Sequence, residues 1–132
     1  MALALGLLLA SFWSCSTTTN RDIAEAAVTK FHSQLNSGLY DSIMLTASPE
    51  FKAGGDTLKE YLERVRDQLG KVTDTKQVTG SVQNMDTEAQ INLVYLTEFS
   101  KGGEAPETFV FRVKDKKATL ILYEVAFESV DN

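Results

Sequence analysis

Beyond residue 20 the apolar positions first recur at helical intervals. Ile23, Ala27, Phe31 and Leu35, with Ala24 and Val28 beside them, predict an amphipathic helix over Arg21–Ser37. Thr19 or Asn20 is placed to cap it, Asp22 falls in its first turn, and Gly38 follows as a stop. From Leu39 to Ala47, Leu39 pairs with Ile43 and Tyr40 with Met44, a short second helix that Pro49 prevents from continuing. After the turn-prone Ala53-Gly54-Gly55 a third helix is expected. Thr57 and Glu60 are spaced as a capping box, Leu58, Tyr61, Leu62, Val65 and Leu69 mark one face, and Gly70 ends it.

From Lys71 onward the period drops to that of strands. Val72 to Val82 is rich in Thr and Val, and Ala89 to Phe99 alternates along its whole length. Thr108 to Lys114 sets Phe109, Phe111 and Val113 against Val110 and Arg112, and Thr119 to Phe127 is apolar on both faces. Turn material lies between them at Asn84 to Thr87, Ser100 to Pro106 and Asp115 to Lys117. Strands joined this closely form an antiparallel meander. Helices followed by strands predict an α+β fold, its N-terminal helices packed on a curved four-stranded antiparallel sheet. The first helix is expected to bury Ile23, Ala27, Phe31 and Leu35 against Leu93, Tyr95, Phe109 and Phe111.

A chain of 132 residues, 43% hydrophobic, holds one small domain. Eighteen acidic residues against 13 basic ones, a net charge of −5, argue against nucleic acid as a partner, because phosphate binding needs a positive surface. One His and one Cys exclude the usual zinc sites and an internal disulfide framework. The sequence carries no nucleotide-binding loop, paired-cysteine motif or nucleophile elbow, so no cofactor is expected and no reaction is specified.

No charge precedes Arg21, and Met1 to Trp13 is almost wholly apolar. As a helix that stretch spans roughly 20 Å, short of the ~30 Å hydrocarbon core, and its length suits a secretory signal. Cys15 stands where the apolar run gives way to Ser16-Thr17-Thr18-Thr19-Asn20. The arrangement resembles a bacterial lipoprotein signal, which implies a signal segment over 1–14, a lipidated Cys15 on a tether over 15–20, and a domain over 21–132. The expected location is then extracytoplasmic, in the bacterial cell envelope, with a membrane as partner through the anchor.

Several local strings extend this picture: Asn36-Ser37-Gly38-Leu39-Tyr40, Ser48-Pro49-Glu50-Phe51, Gln68-Leu69-Gly70, Tyr95-Leu96-Thr97-Glu98-Phe99, Glu107-Thr108-Phe109 and Tyr123. In order and spacing, over residues 22 to 126, they resemble the nuclear transport factor two-like superfamily. Within it they are similar to the small secreted proteins of domain-of-unknown-function family 4019. The resemblance implies a cystatin-like cone and a secreted location, and no activity.

Candidate chemistry is sparse. His32, the one imidazole, shares a helix face with Glu25, Thr29 and Asn36 and reads as solvated. Glu98, Glu107, Arg112 and Glu124 lie on predicted strands, where cross-strand pairing at the surface is expected. Glu124 is the weak catalytic candidate, because it follows Leu120 and Leu122 on an apolar face and burial would raise its pKa. Its neighbour Tyr123 points to the opposite face. Tyr40, Tyr61, Tyr95 and Tyr123 are weak ligand-binding candidates at the mouth of a cone. Arg112, Lys114, Lys116 and Lys117 form the one basic cluster, at a hairpin where charge deters edge pairing.

The leading expectation is a non-catalytic envelope module for a small apolar ligand or an envelope protein, with a homodimer also open. An isomerase- or hydratase-like enzyme using a buried acid is the alternative, and a structural or assembly protein the third.

Overall fold

The computed structural model describes residues 18–126; the expected signal segment and Cys15 lie outside them. Four helices, α1 (Asn20–Asn36), α2 (Tyr40–Leu45), α3 (Pro49–Lys52) and α4 (Gly55–Leu69), precede four strands, β1 (Val72–Met85), β2 (Glu88–Phe99), β3 (Gly103–Lys114) and β4 (Lys117–Val125). The strands form one open antiparallel sheet in the order β1-β2-β3-β4. The fold is α+β, helices first. Among the described residues no helix is long and apolar enough to cross a membrane.

α1 begins where a capping box closes on itself: the Thr19 hydroxyl accepts from the Asp22 N–H, and the Asp22 carboxylate accepts from the Thr19 N–H, both at 3.1 Å. Its far end is tied to the sheet by Asn36, which exchanges two hydrogen bonds with the Val72 backbone. α3, unforeseen from apolar spacing, is a single turn capped by the buried Ser48, whose hydroxyl accepts from the Phe51 N–H. The expected Thr57 capping box does not form, because α4 starts three residues earlier, at Gly55, with Gly54 as an N-cap lacking a side chain to cap with. Gly70 does end α4, at φ 85°, and the turn after β2 closes over that end. The N–H groups of Lys101 and Gly102 both donate to the Leu69 carbonyl, satisfying a terminal helix acceptor.

One face of the sheet carries the core. On β2 the inward residues are Ala89, Ile91, Leu93, Tyr95, Thr97 and Phe99; on β3 they are Ala105, Glu107, Phe109, Phe111 and Val113. α1 lies across this face, and Phe31 and Leu35 meet the expected Leu93, Tyr95, Phe109 and Phe111 in one cluster. The helix is turned from the expected orientation. Its most buried stripe is Ala24, Val28, Phe31, His32 and Leu35, while Ile23 and Ala27 sit at the margin.

β3 also differs from the sequence expectation, starting at Gly103 rather than Thr108. Pro106, which suggested a turn, is accommodated inside the strand because β4 ends beside it: the Pro106 carbonyl accepts from the Ala126 N–H, one residue past the end of β4. Its nitrogen faces the same side, so the missing donor removes only the last bond of the β3–β4 ladder.

Candidate functional site

The extra length of β3 places Glu107 in mid-strand, opposite Tyr95 on β2 and Val125 on β4, with no solvent exposure. A carboxyl group in such a position needs partners, and three donors converge on it. His32 Nε2 donates to Oε1 at 2.7 Å, the Thr97 hydroxyl donates to the same oxygen, and the Tyr123 hydroxyl donates to Oε2 at 2.5 Å. His32 comes from α1, Thr97 from β2 and Tyr123 from β4, so the acid ties the helix to three adjacent strands. Among the described residues no buried side-chain nitrogen or oxygen lacks a partner.

Aromatic rings wall the cluster. Phe109 lies edge-on to Phe31 at 5.2 Å and to His32 at 5.6 Å between ring centres, and Tyr123 tilts over Phe31 at 4.5 Å. Burial, and then the charge of Glu107, hold the Tyr123 hydroxyl well above the ordinary phenol range. Its proton is therefore retained as a hydrogen-bond donor. With Nε2 committed to a carboxylate, the ring orientation of His32 is set, and Nδ1 is its remaining nitrogen.

These placements correct the surface reading of two residues. His32 is 7% exposed and faces the sheet, because it continues the stripe of Ala24 and Val28 at four-residue steps rather than the polar one of Glu25 and Thr29. Glu107 is a core residue, not a surface partner. Glu98 and Glu124 are exposed on the outer face, and the four groups expected to meet across strands do not: Arg112 pairs with Glu50 and Glu88 at 3.3 and 3.5 Å.

Of the tyrosines, Tyr123 and Tyr95 are buried, while Tyr40 and Tyr61 are partly covered. Tyr61 lies edge-on to Tyr123, with ring centres 6.3 Å apart, and its hydroxyl accepts from the Val125 N–H at 3.1 Å. These two tyrosines border an open depression of about 490 Å³ at the end of β4, with Glu124 on its rim. Tyr40 and Tyr95 are elsewhere, so the four do not share one mouth. Among the described residues no group of three or more His, Cys, Asp or Glu is arranged to hold a metal.

A second concavity, about 160 Å³, opens between α1, α2 and the hairpin end of β3 and β4. Phe31, Ile43, Phe111 and Leu120, all buried, form its floor. Ala27 and Ala118 are small enough to leave it open, and Lys30 and Lys117 stand at the rim. Three signals mark it in the sequence: the small residues at 27 and 118, the aromatic at 31 and the basic hairpin. Their convergence depends on α2 packing beside α1, which no local pattern predicts.

Compared with known proteins, the chain matches no family model and no curated protein.

Proposed function

We propose that this chain is a cell-envelope lipoprotein, held at a membrane through a lipidated Cys15, whose domain is a non-catalytic binding module for a small apolar ligand. The fold assigned to it under this reading is the cystatin-like cone of the nuclear transport factor two-like proteins, with α1 lying in the curve of the sheet. The single observation that carries the ligand reading is the groove between α1, α2 and the β3–β4 hairpin end. Its floor is apolar, its volume of about 160 Å³ is comparable with the about 150 Å³ cavity known to hold benzene, and it shares Phe31 with the wall of the Glu107 cluster.

Two experiments test the reading. Expressed in a bacterium, the protein incorporates labelled fatty acid and loses label and membrane association on Cys15→Ser; an unlabelled, soluble wild type ends the lipoprotein part. Toluene added to the methyl-labelled protein shifts the methyl resonances of Ile43 and Leu120 saturably and leaves Val65, in the core on α4, unmoved. Uniform or absent shifts end the ligand part.

The enzyme alternative has one observation in its favour: a histidine oriented by a buried carboxylate through Nε2 is prepared to exchange a proton at Nδ1. It requires Nδ1 of His32 to be open to solvent. His32 ring resonances that a soluble paramagnetic probe leaves unbroadened remove it.

A further inference from the structure

Building on the ligand reading above, we infer that the groove's ligand is a small apolar carboxylate, its ring or short chain on the Phe31–Ile43–Phe111–Leu120 floor and its charge between Lys30 and Lys117. The charge pattern carries this. The protein is acidic overall, at −5, yet the rim of this groove is basic. Among the described residues neither Lys30 nor Lys117 has a carboxylate within ion-pair distance, so neither charge is already neutralised by the protein.

The surroundings sharpen the asymmetry. On α1 the residues one turn either side of Lys30 are Ala26, Ala27, Ser33 and Gln34, none of them acidic. On the hairpin Lys117 is paired in register with Lys114 and preceded by Lys116, and the one acid there, Asp115, sits in the exposed turn. Like charges gathered without counter-ions repel one another, and an anion seated among them relieves that repulsion. Gln34 and Thr46, which also line the groove, add neutral donors. Lysine stems lie readily along apolar walls while the ammonium stays wet, which suits a ligand buried at one end and charged at the other. A volume of about 160 Å³ limits the apolar part to about the size of one benzene ring.

Benzoate and its neutral isostere benzamide separate charge from shape. Each is titrated into the full chain in deuterated lipid nanodiscs, with the methyl resonances of Ala27, Ile43, Ala118 and Leu120 as readout. Benzoate is expected to bind about fivefold more tightly than benzamide, the scale of one favourable exposed ion pair. In the Lys30→Gln/Lys117→Gln double variant the two affinities are expected to converge. Both lysines are exposed, so the variant folds, and unchanged core resonances confirm it. Equal affinities in the wild type overturn the anion inference and leave the apolar groove standing. A benzoate preference that survives the double variant overturns the role of the lysines. No saturable shift from either compound, or from toluene, overturns this inference and the ligand reading together.

Discussion

Removing the acceptor at the centre of the buried cluster tests the assignment of Glu107 most directly. Glu107→Ala strands three donors, from His32, Thr97 and Tyr123, in a region with no water contact at the acid itself. Each stranded buried group costs about 1–3 kcal/mol, and neighbours in one hydrogen-bond network do not simply add. The expected loss is thus about 4 kcal/mol, a large part of the stability of a domain this size. Glu107→Gln keeps the shape. Its amide oxygen, placed at Oε1, still accepts from His32 and Thr97, and only the Tyr123 hydroxyl must reverse to accept from the amide. The expected cost is about 1–2 kcal/mol, the charge assistance of the bonds. Replacing both His32 and Glu107 by Leu should cost less than Glu107→Leu alone, because the imidazole is then not left buried without its hydrogen-bond partner. Urea unfolding of each variant at pH 7, followed by far-ultraviolet circular dichroism, gives the differences. An alanine variant within about 1 kcal/mol of wild type refutes the buried cluster, as does a glutamine variant as damaging as alanine.

Three further outcomes follow from the geometry. Because the Tyr123 hydroxyl is held above its unfolded value near 10, the unfolded chain loses that proton first; stability contributed by the neutral phenol is full below pH 10 and falls as pH rises beyond it, less steeply in Tyr123→Phe by the same unfolding assay. Asp115 and Lys116 occupy the hairpin turn with φ of 50° and 61°, so Lys116→Gly should raise the unfolding free energy by about 0.5–1 kcal/mol, and no gain or a loss would show that the turn is unstrained. At Gly70, φ is 85° and ψ is −156°, a region essentially only glycine adopts, and a Cβ would clash with the Ser100 hydroxyl oxygen, so Gly70→Ala should cost about 1–3 kcal/mol from the backbone alone and more from the clash, measured as a fall in the urea midpoint.

The order and type of the long elements were legible because each follows a single period over many residues. α1 keeps its 3.6 spacing with a capping box at one end and Gly38 beyond the other, and β2 alternates for 12 residues. The site was not legible, for two physical reasons. Ile23–Ala27 and Ala24–Val28 both continue the line of Phe31 and Leu35, so the apolar pattern of α1 admits two rotations, and only packing against the sheet selects the one that buries His32. Pro106 and the glycines before it read as a loop, which sets Glu107 at the start of a strand, where surface pairing rather than burial is expected; the place where β4 stops, which makes proline tolerable there, is a property of the partner strand. The apolar groove joins residues from two helices and two strands, a convergence invisible to any local window.

The separations within the Glu107 cluster order its assembly in time. Thr97 and Tyr123 lie 10 and 16 residues from Glu107, across adjacent strands of a meander, whereas His32 lies 75 residues away. Closing the two short loops costs less chain entropy than closing the long one, so the three-strand part of the cluster forms early and α1 docks afterwards. Substitutions at Thr97 or Tyr123 should then slow folding, while those at His32 should mainly hasten unfolding. The histidine thus acts as a kinetic latch: the sheet closes without it, and the native state, once His32 reaches the waiting carboxylate, is slow to reopen.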